Sequence, residues 1–222
     1  MADARAMLRA ETGAMTTTAV VIDRLEAWSG DGAEGWLWDM GGWHGGDIHR
    51  FWWKSEGGGD FHGSASGEVQ ALYSRAVRPF WDVQAGVRQD FGDGPDTTHL
   101  VLGVQGLAPY WWEVDAAAFL STRGDLAARV EAEYDLRITQ RLVLQPRLEV
   151  EASASDVPER GLGSGLTHVE AGLRLRYEFV REFAPYVGVE WSRHLGRTAD
   201  LARARGDDPE AVRWVVGVKA WF

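Results

Sequence analysis

The chain has 222 residues, of which 45% are hydrophobic and 25% are charged, and its 33 acidic residues against 23 Lys and Arg give a formal net charge of -10. This acidic balance argues against nucleic acid as a partner and is compatible with cations, while the absence of cysteine excludes disulfides, thiolate metal sites and cysteine nucleophiles. Because no apolar run reaches about 18 residues, the sequence predicts no transmembrane helix.

The first predicted element is a short N-terminal segment, residues 1–18. Its first 14 residues carry acids and have no apolar core, so we do not expect a signal peptide. Residues 3–14 are predicted to form a short helix or turn, most simply a periplasmic plug or lid. The second domain, residues 19–222, has a different pattern.

Alternation of apolar and polar residues runs along nearly the whole of this second domain. In 167–180, for example, Leu173 and Leu175 alternate with Arg174 and Arg176. A period of two residues indicates half-buried β-strands rather than helices. Turn signals divide the chain into about twelve strands, which span residues 19–28, 34–43, 47–56, 66–77, 80–91, 97–107, 111–122, 126–138, 141–152, 167–180, 184–194 and 211–222.

The strand lengths and connections are typical of a membrane barrel. Most predicted strands run about 10 to 13 residues, which suits a strand tilted across a bilayer. Short turns alternate with longer loops at 57–65, 92–96, 153–166 and 195–210. The predicted fold is therefore an all-β transmembrane antiparallel β-barrel of about 12 strands in the outer membrane, with lipid around it and both chain ends on the short-turn side.

The alternative is a soluble lipocalin-like barrel or β-sandwich with its apolar face inward. The placement of the tryptophans favours the membrane barrel, because a soluble core needs its largest side chains in the middle of strands, whereas aromatic girdles lie at the two headgroup levels. The terminal Phe222 also resembles the C-terminal signature of bacterial outer-membrane proteins. The tryptophans near predicted strand ends are Trp28, Trp38, Trp43, Trp81, Trp112, Trp191 and Trp214.

With Phe222 facing lipid, the inner face carries many charges of both signs, and we expect acids and arginines to pair across the lumen as a polar plug. No nucleophile elbow, phosphate-binding glycine loop or HExxH motif is present. An outer-membrane acyltransferase or phospholipase would need a third group beside Ser192 and His194, which share one inner face. The sequence therefore predicts a protein that is not an enzyme.

Histidines at the long-loop end are the first candidate metal ligands, since imidazole is a common ligand for copper. His99 and His168 begin strands and His194 ends one, all three on the predicted inner face, and His62 lies in a loop on the same side. Convergence of two or three of them with Glu170 or Glu190 would form a cation site. The alternative is that they are solvated rim residues.

A second candidate set lies at the opposite end of the barrel. His44 and His49 flank a tight turn, and Met7 and Met15 lie in the N-terminal segment. Thioether sulfur is a soft ligand that suits Cu(I). The alternative is that the two methionines pack a plug.

The chain also resembles a known family over most of its length, in segments that include VIDRLEAW (21–28), WDMGGWHGGDIHRFWWKSEG (38–57), EVQALYSRAVRPFWDVQAGVRQDFG (68–92) and PYVGVEWSRHLGRTADLARARG with RWVVGVKAWF at the end. These blocks are similar to the copper resistance protein B family of Gram-negative outer membranes.

The resemblance implies an outer-membrane barrel that binds copper ions, as Cu(I) or Cu(II), and contributes to copper resistance or to copper movement across the outer membrane. It also implies a periplasmic copper protein as a partner. Family members commonly carry a long N-terminal tract rich in Met and His, of which Met7 and Met15 remain here. The alternative function is a passive structural barrel, with a salt-bridged lumen, that acts through periplasmic partners.

Overall fold

The structure, a computed structural model, describes residues 16–63, 65–92 and 96–222. In these residues thirteen strands are present: β1 (Thr17–Gly30), β2 (Ala33–Gly45), β3 (His49–Asp60), β4 (Ala65–Arg78), β5 (Trp81–Phe91), β6 (Thr97–Ala108), β7 (Trp112–Ser121), β8 (Leu126–Glu133), β9 (Leu136–Arg137), β10 (Leu142–Ser153), β11 (Gly165–Tyr177), β12 (Phe183–His194) and β13 (Glu210–Trp221). One α-helix, α1 (Gly196–Arg205), and two short 3-10 turns, Pro109–Trp111 and Pro158–Arg160, complete the described elements.

The strands form one closed antiparallel barrel. Each strand pairs with its neighbours along the chain, and β13 pairs with β1 to close the sheet. Strands β8 and β9 both pair with β10 and are two parts of one broken strand, so the barrel has twelve strands. This confirms the predicted fold. Most of the N-terminal segment 1–18 lies outside the described residues, and β1 already begins at Thr17.

The break between β8 and β9 has a cause in the neighbouring strand. The register passes from Glu133 opposite Arg147 to Leu136 opposite Leu144, and Pro146 lies opposite the gap. Proline has no N–H to donate to the ladder, so regular pairing cannot continue there. The carbonyl of Pro146 still accepts a hydrogen bond from the Tyr134 N–H at 3.2 Å.

The outer and inner faces of the wall are opposite in character to those of a soluble barrel. Leu100 and Leu102 on the outer face are each 63% exposed, whereas the inward Arg174 is 2% exposed and Gln84 is also buried. Exposure of a continuous apolar band around a charged interior is the pattern of a membrane barrel. The soluble lipocalin-like alternative does not fit it.

Trp28, which we predicted in a lipid-facing girdle, points into the lumen instead. Its ring lies 4.3 Å from the guanidinium carbon of the inward Arg213. The reason is a β-bulge in β1 between Ile22 and Arg24, because the extra residue of a bulge reverses the faces of the residues that follow.

Trp43 is a second correction to the predicted girdle. It pairs in register with Trp52, which packs inside the barrel against the buried Leu72. Trp38, by contrast, lies opposite the exposed Leu25 on the outer face. Trp38 and Trp43 are five residues apart. Because side chains alternate between the two faces of a strand, residues separated by an odd number of positions lie on opposite faces.

Two predicted loops are largely regular structure. The loop predicted at 57–65 shrinks to residues 61–64, because β3 continues through Gly57 to Asp60. A Cβ at Gly57 would lie 2.3 Å from the Trp38 ring and 2.6 Å from the Ser66 carbonyl oxygen. This glycine therefore makes room for an indole within a strand rather than forming a turn.

The predicted loop 195–210 contains α1, which Gly206 caps at its C-terminus with a left-handed φ of 92°. Its Ala, Leu and Arg residues are strong helix formers, a signal that the sequence prediction did not use. No helix among the described residues is long and apolar enough to cross a membrane.

We expect Gly57→Ala to lower the free energy of unfolding by about 1–3 kcal/mol, the usual cost of overpacking. The measurement is thermal unfolding of the purified barrel in detergent, with tryptophan fluorescence to follow displacement of Trp38. The control is Gly103→Ala, where a Cβ would lie no closer than 3.1 Å to another atom, the Ala116 carbonyl oxygen. Equal loss of stability in both variants would contradict the role given to Gly57.

Candidate functional site

The lumen is organised around buried arginines. Arg147 on β10, whose side chain is 2% exposed, donates hydrogen bonds to three carboxylates, Glu131 at 2.9 Å, Glu149 at 2.5 Å and Glu170 at 2.5 Å, and Glu133 lies 3.5 Å away. Charges taken out of water are stable only when they are paired and hydrogen-bonded. The arginine therefore holds three strands of the inner wall together.

Other ion pairs cross the lumen between distant strands. Arg129 on β8 reaches Glu56 on β3 at 2.9 Å, and Lys54 on β3 contacts Asp115 on β7. Four strands, β4 to β7, lie between β3 and β8. The polar plug that we predicted from the alternating charges is thus present in the described lumen.

An apolar cluster interrupts the charged lining of the lumen. The sequence prediction did not include this cluster. Leu72, Val101 and Phe119 are buried together inside the barrel, with Trp52 packed against them. A cavity of about 50 Å³ lies beside the cluster, lined by Lys54, Gln70, Leu72, Gln84, Val101, Asp115, Ala117, Phe119, Arg129 and Glu131. This volume accommodates ordered water rather than a wide channel.

His168 and His194 meet at the long-loop end of the lumen. They face each other in register on β11 and β12, and their ring centroids lie 5.1 Å apart. Glu151 on β10 is the register partner of His168 on its other side. Two imidazoles and one carboxylate therefore lie in one row across three adjacent strands.

His99 lies elsewhere on the wall. It is on β6, and β7, β8 and β10 separate that strand from β11. Its Nδ1 lies 3.9 Å from Asp90 Oδ2. Of the three inner-face histidines, the structure brings two together and leaves His99 with a different carboxylate.

The two candidate carboxylates at the long-loop end are both held by arginines. Glu170 contacts Arg147 at 2.5 Å. Glu190 contacts Arg174 at 2.7 Å, and Arg174 also binds Glu26 at 2.6 Å. A cation at either carboxylate would have to compete with a charge-assisted hydrogen bond.

The histidines of the short-turn end point away from the lumen. His44 follows the inward Trp43, and its Nδ1 lies 2.7 Å from Thr18 Oγ1. His49 Nδ1 lies 2.5 Å from the hydroxyl of Tyr73, which is exposed on the outer face.

The remaining candidates are His62, Met7 and Met15. His62 is exposed in the connection after β3. Met7 and Met15 lie outside the described residues, and their assignment as copper ligands stays a prediction. Within the described part of the chain, no group of three or more His, Asp and Glu residues is arranged to hold a metal ion. A site there would need water to complete its coordination.

Sequence reasoning missed Glu151 and Asp90 as neighbours of the candidate histidines. Both are inner-face acids close to the long-loop end, a position that the alternation pattern does supply. The alternation pattern does not supply the register between strands. The register places Glu151 directly opposite His168 and Asp90 diagonally opposite His99.

We expect Arg147→Met to destabilise the barrel by about 3–5 kcal/mol, because it leaves Glu131, Glu149 and Glu170 without their shared cation. The change is measured as the unfolding temperature in detergent. The matched control is Arg137→Met, since the Arg137 side chain is 55% exposed and an exposed pair contributes about 1 kcal/mol or less. Similar losses in the two variants would contradict a central role for Arg147.

Two solved structures with similar folds are porins. The KdgM porin matches with a TM-score of 0.56 at 14% identity, covering 91% of this chain and 98% of that one. The NanC porin matches with a TM-score of 0.60 at 12% identity, covering 90% of this chain and 98% of that one. These likenesses show the fold, and the chain is an outer-membrane β-barrel.

Similarity in sequence is much stronger to another group. Copper resistance protein B of Escherichia coli is 43% identical over 203 residues, and a Copper resistance protein B homolog of Pseudomonas syringae pv. tomato is 46% identical over 202 residues. Each match covers 91% of this chain and 69% of the relative. A family model described as Copper resistance protein B precursor (CopB) matches residues 16–222. The chain therefore belongs to the copper resistance protein B family, and this membership supports a role in copper resistance.

Proposed function

We propose that the barrel contributes to copper resistance by binding copper ions at the long-loop end of its lumen. The observation that carries this proposal is the facing pair His168 and His194, with ring centroids 5.1 Å apart. A bond between a metal ion and an imidazole nitrogen is about 2 Å long, so two rings at this separation can share one ion. Glu151, in register with His168, supplies a carboxylate beside them.

The surrounding charges support a cation at this position. Glu151 is held by Arg129 at 3.1 Å on one side only, and its side chain is 30% exposed. It is therefore more available than Glu170, whose side chain is 14% exposed and pairs with Arg147, or Glu190, which is buried and pairs with Arg174. The proposed ligands are thus His168, His194 and water, with Glu151 as a nearby carboxylate that balances the charge of the ion, and the proposal contains no catalytic step.

Movement of copper across the outer membrane is a further step of this proposal. Because Arg129–Glu56 and Lys54–Asp115 bridge the lumen, an ion would pass only when these pairs separate. The alternative function, a passive barrel that acts through a periplasmic copper protein, is favoured by the same cross-lumen pairs. The two functions differ in whether copper crosses the barrel at all.

Copper titration of the purified barrel tests the binding site. We expect the double variant His168→Ala/His194→Ala to lower affinity for Cu(I) or Cu(II) by more than about 100-fold, since even outer-shell substitutions cost metal sites 10- to 100-fold. The matched control, His44→Ala/His49→Ala, removes two outward imidazoles and should leave affinity unchanged. Equal copper affinities of the wild type and of His168→Ala/His194→Ala would contradict the proposal.

Copper uptake into liposomes distinguishes movement from a passive role. If copper moves through the lumen, we expect slow uptake by the wild type, faster uptake by Lys54→Gln/Arg129→Gln, in which both cross-lumen cations are removed, and slower uptake by His168→Ala/His194→Ala. Absence of copper uptake in all of these barrels, with correct insertion shown by protease protection, would establish the passive alternative.

A further inference from the structure

A second group of polar side chains lies at the long-loop end, beneath the loop of residues 154–164. Asp90 on β5 and His99 on β6 are inner-face residues of adjacent strands, and Arg160 contacts Asp90 from the loop. The group is separate from His168 and His194, because three strands lie between β6 and β11.

Arg160 fastens the loop tip to the far wall. Its terminal nitrogen donates to Asp90 Oδ2 at 2.5 Å, although the two residues are 70 positions apart in the chain. The other carboxylate oxygen, Oδ1, accepts from Arg88 Nε at 2.6 Å. One oxygen of Asp90 therefore binds Arg88 of the same strand, and the other binds Arg160 of the loop.

The loop is also attached to α1 independently of Arg160, at its base through Gly163 and at its tip through Pro158. The Gly163 N–H donates to the buried Thr198 Oγ1 of α1 at 2.9 Å, and Arg205 of α1 donates to the Pro158 carbonyl at 3.2 Å. Glu159, next to Arg160, also pairs with the exposed Arg123 at 3.6 Å. Loss of the Arg160 contact would therefore remove the buried attachment of the loop tip and leave its exposed contacts at Pro158 and Glu159.

His99 has an unsatisfied nitrogen in this group. Its side chain is 8% exposed, and its Nδ1 has no hydrogen-bond partner among the described residues. The nearest carboxylate oxygen, Asp90 Oδ2, is 3.9 Å away, too far for a hydrogen bond. A buried polar atom without a protein partner is uncommon and calls for a water molecule or an ion beside it. Beside it lies a cavity of about 40 Å³, lined by Thr97, His99, Ser121, Arg123, Asp125, Ala127, Ser153, Val157, Arg160 and Leu162.

We propose that Asp90 and His99 form a second cation site, and that the Arg160 guanidinium takes the place of the ion against Asp90 until a metal ion displaces it. An imidazole nitrogen with a carboxylate suits a borderline ion such as copper, and water would complete the coordination. The bound ion displaces Arg160 from Oδ2, so binding at this site releases the tip of loop 154–164 from Asp90 and leaves the tip with its exposed contacts at Pro158 and Glu159. The choice of copper rests on the proposed function, but the residues are different.

The test is Cu(II) titration of the full chain in a His168→Ala/His194→Ala background, which removes the first site. There we expect weak residual binding that is lost in Asp90→Asn and in His99→Ala. Arg160→Gln should bind on the order of tenfold more tightly, because it removes one competing charge-assisted hydrogen bond. The matched control is Arg123→Gln, which removes a cation from the same cavity that pairs with Glu159 at 3.6 Å instead of Asp90.

The sign of the Arg160→Gln effect decides the proposal. Affinity that is unchanged or lowered, or that rises equally in Arg123→Gln, overturns it. If the His168→Ala/His194→Ala background loses all copper binding and Arg160→Gln restores none, this second site is wrong while the first site stands. If that background binds as tightly as the wild type and loses binding with His99→Ala, the first site is wrong and this one stands.

Release of the loop has its own readout, which is cleavage by trypsin after Arg160 relative to cleavage after Arg203 in α1. Both cuts occur in one digestion and are quantified by mass spectrometry, so inhibition of the protease by copper cancels in the ratio. We expect copper to raise the ratio in the His168→Ala/His194→Ala background and to leave it unchanged when His99→Ala is added. A ratio that copper does not change while Arg160→Gln tightens binding would overturn the release of the loop.

Discussion

The closed hydrogen-bond ladder is the constraint on which the rest of the molecule depends. A bilayer offers no water to satisfy backbone groups, so a sheet can span it only if its two edges pair with each other. Here Val20 and Phe222 exchange backbone hydrogen bonds of 3.0 and 2.8 Å where β1 meets the end of the chain. Closure gives every strand one face toward lipid and one toward the lumen, and the alternation of residue types follows from it.

The charged side chains that point into the lumen must then be paired with one another. Its walls bring many carboxylates and guanidinium groups into a space with little water, where an unpaired charge is very costly. Shared cations neutralise these carboxylates: Arg147 donates hydrogen bonds to three of them, and Arg129 joins β8 to β3 across the interior. The same pairs that stabilise the barrel block its centre.

This charge pairing also determines where a metal ion can bind. Glu170 and Glu190, which alternation alone made attractive ligands, are already committed to Arg147 and Arg174. The less committed groups lie at the long-loop end, at His168 with His194 and at His99 beneath the loop. Both proposed copper sites are therefore at one mouth of the barrel, and at the second of them an arginine from loop 154–164 occupies the cation position. Likeness to porins supplies only the architecture, whereas 43–46% identity to copper resistance proteins supplies the copper context.

The strand count, the membrane location, the charged lumen and the family were all predictable from the sequence. Alternation is a local property of the extended backbone, and its repetition along the chain is enough to specify a twelve-stranded barrel. Local alternation failed where a strand deviates from regular geometry: the bulge after Ile22 turns Trp28 inward, and Gly57 stays in a strand because an indole lies over it.

Tertiary structure alone decided which inner-face residues meet. His99, His168 and His194 look equivalent in the sequence, since each lies at the same end of an inner face. Register joins His168 to His194, while three strands separate them from His99. Arg160 binds Asp90, 70 residues away in the chain, only because the loop folds over the closed barrel. Residue type and period depend on near neighbours in the chain, whereas register, bulges and closure depend on strands that are distant in sequence.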